Sequence, residues 1–228
     1  TKRAQARRKQ LEKMERLERP ETDDKSIHFQ FHSEKDSGNE VLDVEQAKVG
    51  YDEQILAGPL SFNVRKPQRV GIIGPNGIGK STLLKTLLGE IPSFNGNYKF
   101  CSSADISYYR QEEMFPKLKP IDYVREFYPM LDDGAVRSLL AKVGLKSDSI
   151  SKTMDILSGG EQTKVRLAIM MKKKANILVF DEPTNHLDVI AKEALYKAIN
   201  EFEGTVILVS HDTEFYKDIV DFEINLEY

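Results

Sequence analysis

Apolar residues in this chain fall into short, strand-sized runs separated by stretches with helical spacing, and the order of the two predicts an α/β fold. Residues 70–73, 106–109, 177–180 and 206–209 read as buried strands. Helical patterns cover 80–88, where Gly89 stops the helix, then 189–202 and 215–220. Strand and helix alternate along the last third of the chain, which argues a mainly parallel sheet covered by helices. Between about 120 and 171 the pattern is helical with little strand character, as in a helical subdomain inserted into an α/β core. Ile27, Phe29 and Phe31 alternate with polar residues as a half-buried strand would, 34–40 is a turn, and 41–44 and 60–64 are further strands. The tail, 221–228, ends in another strand. At the start, Leu11, Met14 and Leu17 form a narrow apolar stripe on a helix over 5–19, which Pro20 ends before a polar spacer.

A chain of 228 residues with 40% hydrophobic content can bury a real core as one large domain with an appendage. No apolar run approaches the roughly 18–20 residues that a membrane-spanning helix needs, so no membrane insertion is expected. The basic N-terminus lacks the apolar stretch of a secretory signal, and the lone Cys101 excludes an intrachain disulfide, so a reducing cytoplasmic location is expected. Thr1 in place of methionine suggests a piece of a longer chain. Net charge is −3, but residues 1–19 carry eight basic side chains against Glu12, Glu15 and Glu18, a local +5 on a body of −8. Such an arm is either a polyanion contact or a solvated charged helix. Lys172, Lys173 and Lys174 pose the same choice, with pairing to a helix C-terminal dipole as the simpler account.

The run Gly74-Pro75-Asn76-Gly77-Ile78-Gly79-Lys80-Ser81 fits the pattern G-x-x-x-x-G-K-[ST], lies between a strand and a helix, and is followed by Thr82. Glycines let backbone amides converge on a phosphate, and the helix start adds its positive dipole end. Lys80 is placed to reach the β- and γ-phosphates of a nucleotide and Ser81 to ligate Mg²⁺. Downstream, the apolar strand 177–180 runs into Asp181 and Glu182. Parallel-sheet folds put ligands at this end of their strands. Asp181 is therefore expected at the Mg²⁺, directly or through water, and Glu182 beyond it, orienting the attacking water. Structural ion pairing is the alternative for both.

Many nucleotide hydrolases would fit so far. Leu157-Ser158-Gly159-Gly160-Glu161-Gln162 narrows the choice, because it resembles the signature motif of the ATP-binding-cassette family. Ser158 and the amides of Gly159 and Gly160, followed by Glu161, open a helix that can bind an anion. In one site this would duplicate the phosphate loop; in the family it serves the site of an opposing cassette. The resemblance implies further roles. Gln111 matches the loop glutamine at the Mg²⁺ and the water, and His211 the histidine that touches the γ-phosphate. Asp188, in Pro183-Thr184-Asn185-His186-Leu187-Asp188, belongs to the loop that couples two sites across a dimer. Tyr51 matches the aromatic that stacks on adenine, although a tyrosine there is also a plausible core residue. The fold implied is a P-loop cassette with an N-terminal antiparallel β subdomain and an inserted helical subdomain at about 112–171.

Within the family the resemblance is closest to the F subfamily, whose members carry two cassettes on one chain, bind the ribosome near its tRNA exit site, and in some cases confer antibiotic resistance. The basic helix at 1–20 resembles the end of their interdomain linker, which makes 21–228 the second cassette. The wording of 181–188 is typical of that subfamily. The implied partners are a second cassette (the missing N-terminal half or a homodimer mate) and the ribosome, with contacts to rRNA or tRNA phosphates. ATP and Mg²⁺ are the implied cofactors, and hydrolysis is expected only in the paired state. Two other readings remain: the ATPase subunit of a membrane transporter, and an ATP sensor that does not hydrolyse. Intact Lys80, Asp181, Glu182 and His211 speak against the sensor.

Overall fold

The computed structural model describes residues 27–51, 54–93, 95–111 and 114–227, with only the backbone of Tyr51 among them. The expected basic helix over 1–20 and the Tyr51 side chain lie outside what is described. Five strands, β3 (Arg69–Ile73), β5 (Ile106–Tyr109), β6 (Ile177–Asp181), β7 (Thr205–Val209) and β8 (Phe222–Asn225), form a sheet in the order β5-β6-β7-β3-β8. Every pairing in it is parallel. A parallel sheet is covered on both faces, which is why β6 and β7 are almost entirely apolar and buried throughout. Successive residues of β6 therefore enter different cores. Leu178 and Phe180 pack with Leu195 and Ile199 and the helices before Lys172. Ile177 and Val179 pack on the opposite face with Leu83, Leu84 and Leu87.

That second face carries α1 (Lys80–Leu87) and a separate antiparallel sheet of β1 (Glu40–Tyr51), β2 (Gln54–Arg65) and β4 (Asn95–Phe100), in the order β2-β1-β4. Between β5 and β6 lie α2 (Pro120–Phe127), α3 (Asp133–Lys142), α4 (Ser147–Ile150) and α5 (Gly159–Lys172). Pro120 opens α2 at its first turn, and Asp132 caps α3 by accepting from the Ala135 amide at 2.8 Å. After β6 come α6 (Val189–Glu201) and the short α7 (Thr213–Tyr216). Among the described residues no helix is long and apolar enough to cross a membrane.

Three expectations need correction. The alternation at 27–31 is real in burial but forms no strand: Phe29 and Phe31 are 2% and 5% exposed, on the helical subdomain and the Phe180 ring. Among the described residues its backbone bonds to the rest of the chain through the His28 amide, which donates to the Lys142 carbonyl at 2.9 Å. An extended segment lying on helices has the same period as a sheet strand. Strands β1 and β2 are much longer than 41–44 and 60–64, because irregular register at Val44/Ala47 and positive φ at Gln46 interrupt the alternation. The helix expected over 215–220 is confined to Thr213–Tyr216.

Candidate functional site

The turn after β3 needs backbone conformations that side chains resist. Gly74, Gly77 and Gly79 have φ of 143°, 82° and 109°, and a Cβ on Gly79 would sit 3.1 Å from Leu56 Cβ. Lys80, at the first position of α1, is buried and folds back to donate to the carbonyls of Gly74 (2.8 Å) and Pro75 (3.0 Å). The loop thus encloses its own cation, and two carbonyl acceptors stand where a phosphate would offer stronger, charged ones.

A cleft of about 620 Å³ opens in front of this turn. Of the residues expected at a nucleotide, Asn76, Gly77, Gly79, Lys80, Ser81, Thr82, Gln111, Glu182 and His211 line it. Gly74, Pro75 and Ile78 belong to the turn without lining the cleft. Residues far apart in sequence thus converge at the C-terminal ends of β3, β5, β6 and β7. Leu56 and Val209 also line it without having been expected there, as does Asn185, which the sequence placed in the 183–188 coupling loop rather than at the nucleotide. Leu56 stands in the β1–β2 sheet, and nothing in its local pattern separates it from a structural apolar residue.

Asp181 sits behind this wall, 1% exposed, and its Oδ1 has no hydrogen-bond partner. Burial pushes its carboxyl above the usual range, offset in part by the Ser81 hydroxyl. Among the described residues no cluster of three or more His, Cys, Asp or Glu could cage a metal. Mg²⁺ does not need one, since it takes one or two protein oxygens plus phosphates and waters. An orphan carboxylate oxygen beside a serine hydroxyl at the foot of a phosphate loop fits that ion.

Glu182 follows at φ 52°, a left-handed conformation that costs on the order of 1–3 kcal/mol for a non-glycine residue. Its amide extends the β6–β7 ladder by donating to the Val209 carbonyl at 2.9 Å. The turn aims the carboxylate at His211, whose Nδ1 is 2.7 Å from Oε2 and whose amide donates to the same oxygen at 3.3 Å. Glu182 is buried and His211 exposed, so the pair joins the interior to the cleft.

The Ser158 segment is not part of the cleft wall; Gly159 lines an adjoining hollow of about 310 Å³ with Gln111, Glu182, Asn185 and His186. Ser158 and Glu161 form a reciprocal capping box at the start of α5, and the Ser149 hydroxyl also donates to Glu161. Burial opposes ionisation of Glu161, but the Ser149 and Ser158 bonds hold its carboxyl below the ordinary range. Gly159 and Gly160 press against His186: added Cβ atoms would lie 2.8 Å from its Cγ and 2.6 Å from its carbonyl oxygen. Asp188 caps α6 through the Ala191 amide (2.8 Å) and pairs with Lys164 of α5 at 3.1 Å. The 158–161 and 183–188 segments are thus packed directly against each other in this chain. Large apolar side chains are exposed on its rim: Ile156, Val189 and Ile190 at 64%, 81% and 61%.

Comparison with known proteins follows the same lines. The model of the family described as "ABC transporter" matches residues 57–185. The ATP-binding protein YdiF of Bacillus subtilis is 41% identical over 222 residues, which make up 96% of this chain and 35% of that protein. ABC transporter F family member 5 of Arabidopsis thaliana is 34% identical over 232 residues, 99% of this chain and 33% of its own. The chain therefore spans about a third of the length of these relatives. An ABC transporter ATP-binding protein from Pyrococcus furiosus has the same fold at TM-score 0.67 and 26% identity, covering 82% of this chain and 97% of its own. A bacterial Atm1-family ABC exporter with ATP bound shares the fold at TM-score 0.71 and 21% identity, over 86% of this chain and 38% of its own.

Proposed function

We propose that this chain, which belongs to the ABC transporter family of ATP-binding cassettes, hydrolyses Mg-ATP when a second cassette closes over its cleft, and that this cycle runs on the ribosome. One observation carries the reading: Lys80, Ser81, Gln111, Glu182 and His211 share one cleft, whereas Ser158 stands outside it on an exposed, apolar-rimmed surface. The site has a binding half and a catalytic group, and a second anion-binding helix start left over for another copy.

In this account Lys80 exchanges its two carbonyl acceptors for phosphate oxygens, and the amides of 76–80 follow. Ser81, Asp181 and Gln111 would hold Mg²⁺, which neutralises phosphate charge. Glu182, already turned toward the cleft by its left-handed backbone, accepts a proton from the attacking water. His211 leaves Glu182 and donates to the γ-phosphate. Gly159 and Gly160 of the partner cap that phosphate, and Asp188 transmits the movement because it is tied to Lys164 on the signature helix. ATP drives closure only as far as it contacts the closed form better than the open one.

The ribosomal part rests on the F-subfamily relatives, on the wording of 181–188, and on the +5 arm at residues 1–19, whose charge suits nucleic-acid phosphates. The test is co-sedimentation with ribosomes of the intact protein carrying Glu182→Gln and the matching change in any second cassette. ATP-dependent pelleting supports the reading. No pelleting under conditions where ATP binds turns the search to membrane partners.

A further inference from the structure

Tyr108 of β5 stands opposite Val179 of β6 in the parallel register, on the sheet face that packs against α1. Asp181 lies two residues beyond Val179, on the same face. The Tyr108 hydroxyl is completely buried near the Asp181 carboxylate, and neither Tyr108 Oη nor Asp181 Oδ1 makes a hydrogen bond of ordinary geometry. Two adjacent buried polar atoms without partners are uncommon in a folded protein and call for an explanation.

The ring is also covered by a cation. The Arg110 guanidinium lies over it at 4.9 Å, and Arg110 is gripped by both oxygens of Glu90, at 2.7 and 2.6 Å. The Glu90 amide in turn donates to the Lys85 carbonyl at 2.8 Å, tying this clamp to the end of α1, the helix that carries Ser81 at its start. Ser81 and Tyr108 therefore approach the same carboxylate from two elements joined by one clamp.

We infer that Tyr108 is a positioning residue of the cation site: its hydroxyl, buried beside Asp181 without a partner, is placed to bond that carboxylate when an ion is held, so that one oxygen turns toward a divalent ion beside Ser81. The inference rests on the Mg-ATP reading of the cleft. Carboxylates that serve a metal are themselves hydrogen-bonded, and loss of such a supporting bond typically weakens metal affinity about 10–100-fold. A tyrosine present only to fill the core would predict no change in cation dependence when its hydroxyl is removed.

The experiment is Tyr108→Phe in the full chain, with affinity for a fluorescent ATP analogue measured in EDTA and across a Mg²⁺ titration. The substitution removes one atom that makes no hydrogen bond, so the fold should hold, and the affinity in EDTA reports whether it does. The expected result is unchanged affinity in EDTA and a roughly tenfold rise in the Mg²⁺ concentration for half-maximal effect. An unchanged Mg²⁺ midpoint overturns the proposal. So does an equal loss of affinity in EDTA, which would make the hydroxyl a structural group. If the unaltered chain binds no nucleotide under either condition, the reading of the cleft itself falls and takes this inference with it.

Discussion

His211 Nδ1 lies 2.7 Å from Glu182 Oε2, and the His211 amide points at the same oxygen from 3.3 Å. The carboxylate proposed to activate water is thus held by the residue proposed to touch the γ-phosphate. The two substitutions should therefore differ. Glu182→Gln keeps a hydrogen-bonding group at His211 and should lower hydrolysis by about 10²–10⁴-fold while ATP stays bound. His211→Ala should impair hydrolysis and also destabilise the nucleotide-free fold by about 1–3 kcal/mol, because it strips a side-chain hydrogen-bond partner from a buried carboxyl group. Phosphate release and urea midpoints on both variants decide the point; equal stability of the two would contradict it.

Gly160 meets the His186 carbonyl so closely that a Cβ would stand 2.6 Å from the oxygen. Backbone cannot swing aside as a side chain can, so Gly160→Ala should cost about 1–3 kcal/mol. It should also weaken ATP-driven pairing more than ATP binding in the cleft, since Gly160 is not part of the cleft wall. Chemical denaturation and nucleotide titration measure the two effects separately, and an unchanged midpoint would count against the packing described.

Asp212, beside His211, accepts from Lys192 at 2.8 Å and caps α7 through the Phe215 amide. The Lys192 bond first, then its charge and the Phe215 amide, hold the Asp212 carboxyl below its ordinary range despite partial burial. A carboxyl lowered in the folded state binds fewer protons than in the unfolded chain, whose aspartates titrate near ~3.9. Its contribution is complete above that value and is lost as pH falls through the folded one. Asp212→Asn should therefore be less stable than the unaltered chain at neutral pH, by up to about 1 kcal/mol for so exposed a pair, and indistinguishable at strongly acid pH. Urea midpoints across pH test the convergence.

How far the sequence disclosed this arrangement depends on the kind of signal. The Gly74 to Ser81 run and the strand ending in Asp181 and Glu182 were legible because phosphate loops and buried parallel strands impose local patterns. The alternation at Ile27, Phe29 and Phe31 misled because extended chain on helices has the same period as a sheet strand. Strand β4 left little signal: Asn95, Gly96 and Asn97 are polar, the alternation of Tyr98 and Phe100 is short, and pairing with β1 is what completes the strand. Leu56 and Asn185 reach the cleft through tertiary placement. The partnerless hydroxyl of Tyr108 and the contact of Gly160 with His186 belong to the same class, since neither has a local pattern.

The central claim is that this cleft is completed by a second cassette. Sedimentation velocity of the chain carrying Glu182→Gln, with and without saturating ATP and Mg²⁺, tests it most directly. The account predicts a monomer without nucleotide and an ATP-dependent dimer, abolished by Ser158→Arg. A chain that stays monomeric with ATP bound, while the unaltered protein hydrolyses ATP at a specific rate independent of its concentration, would contradict it.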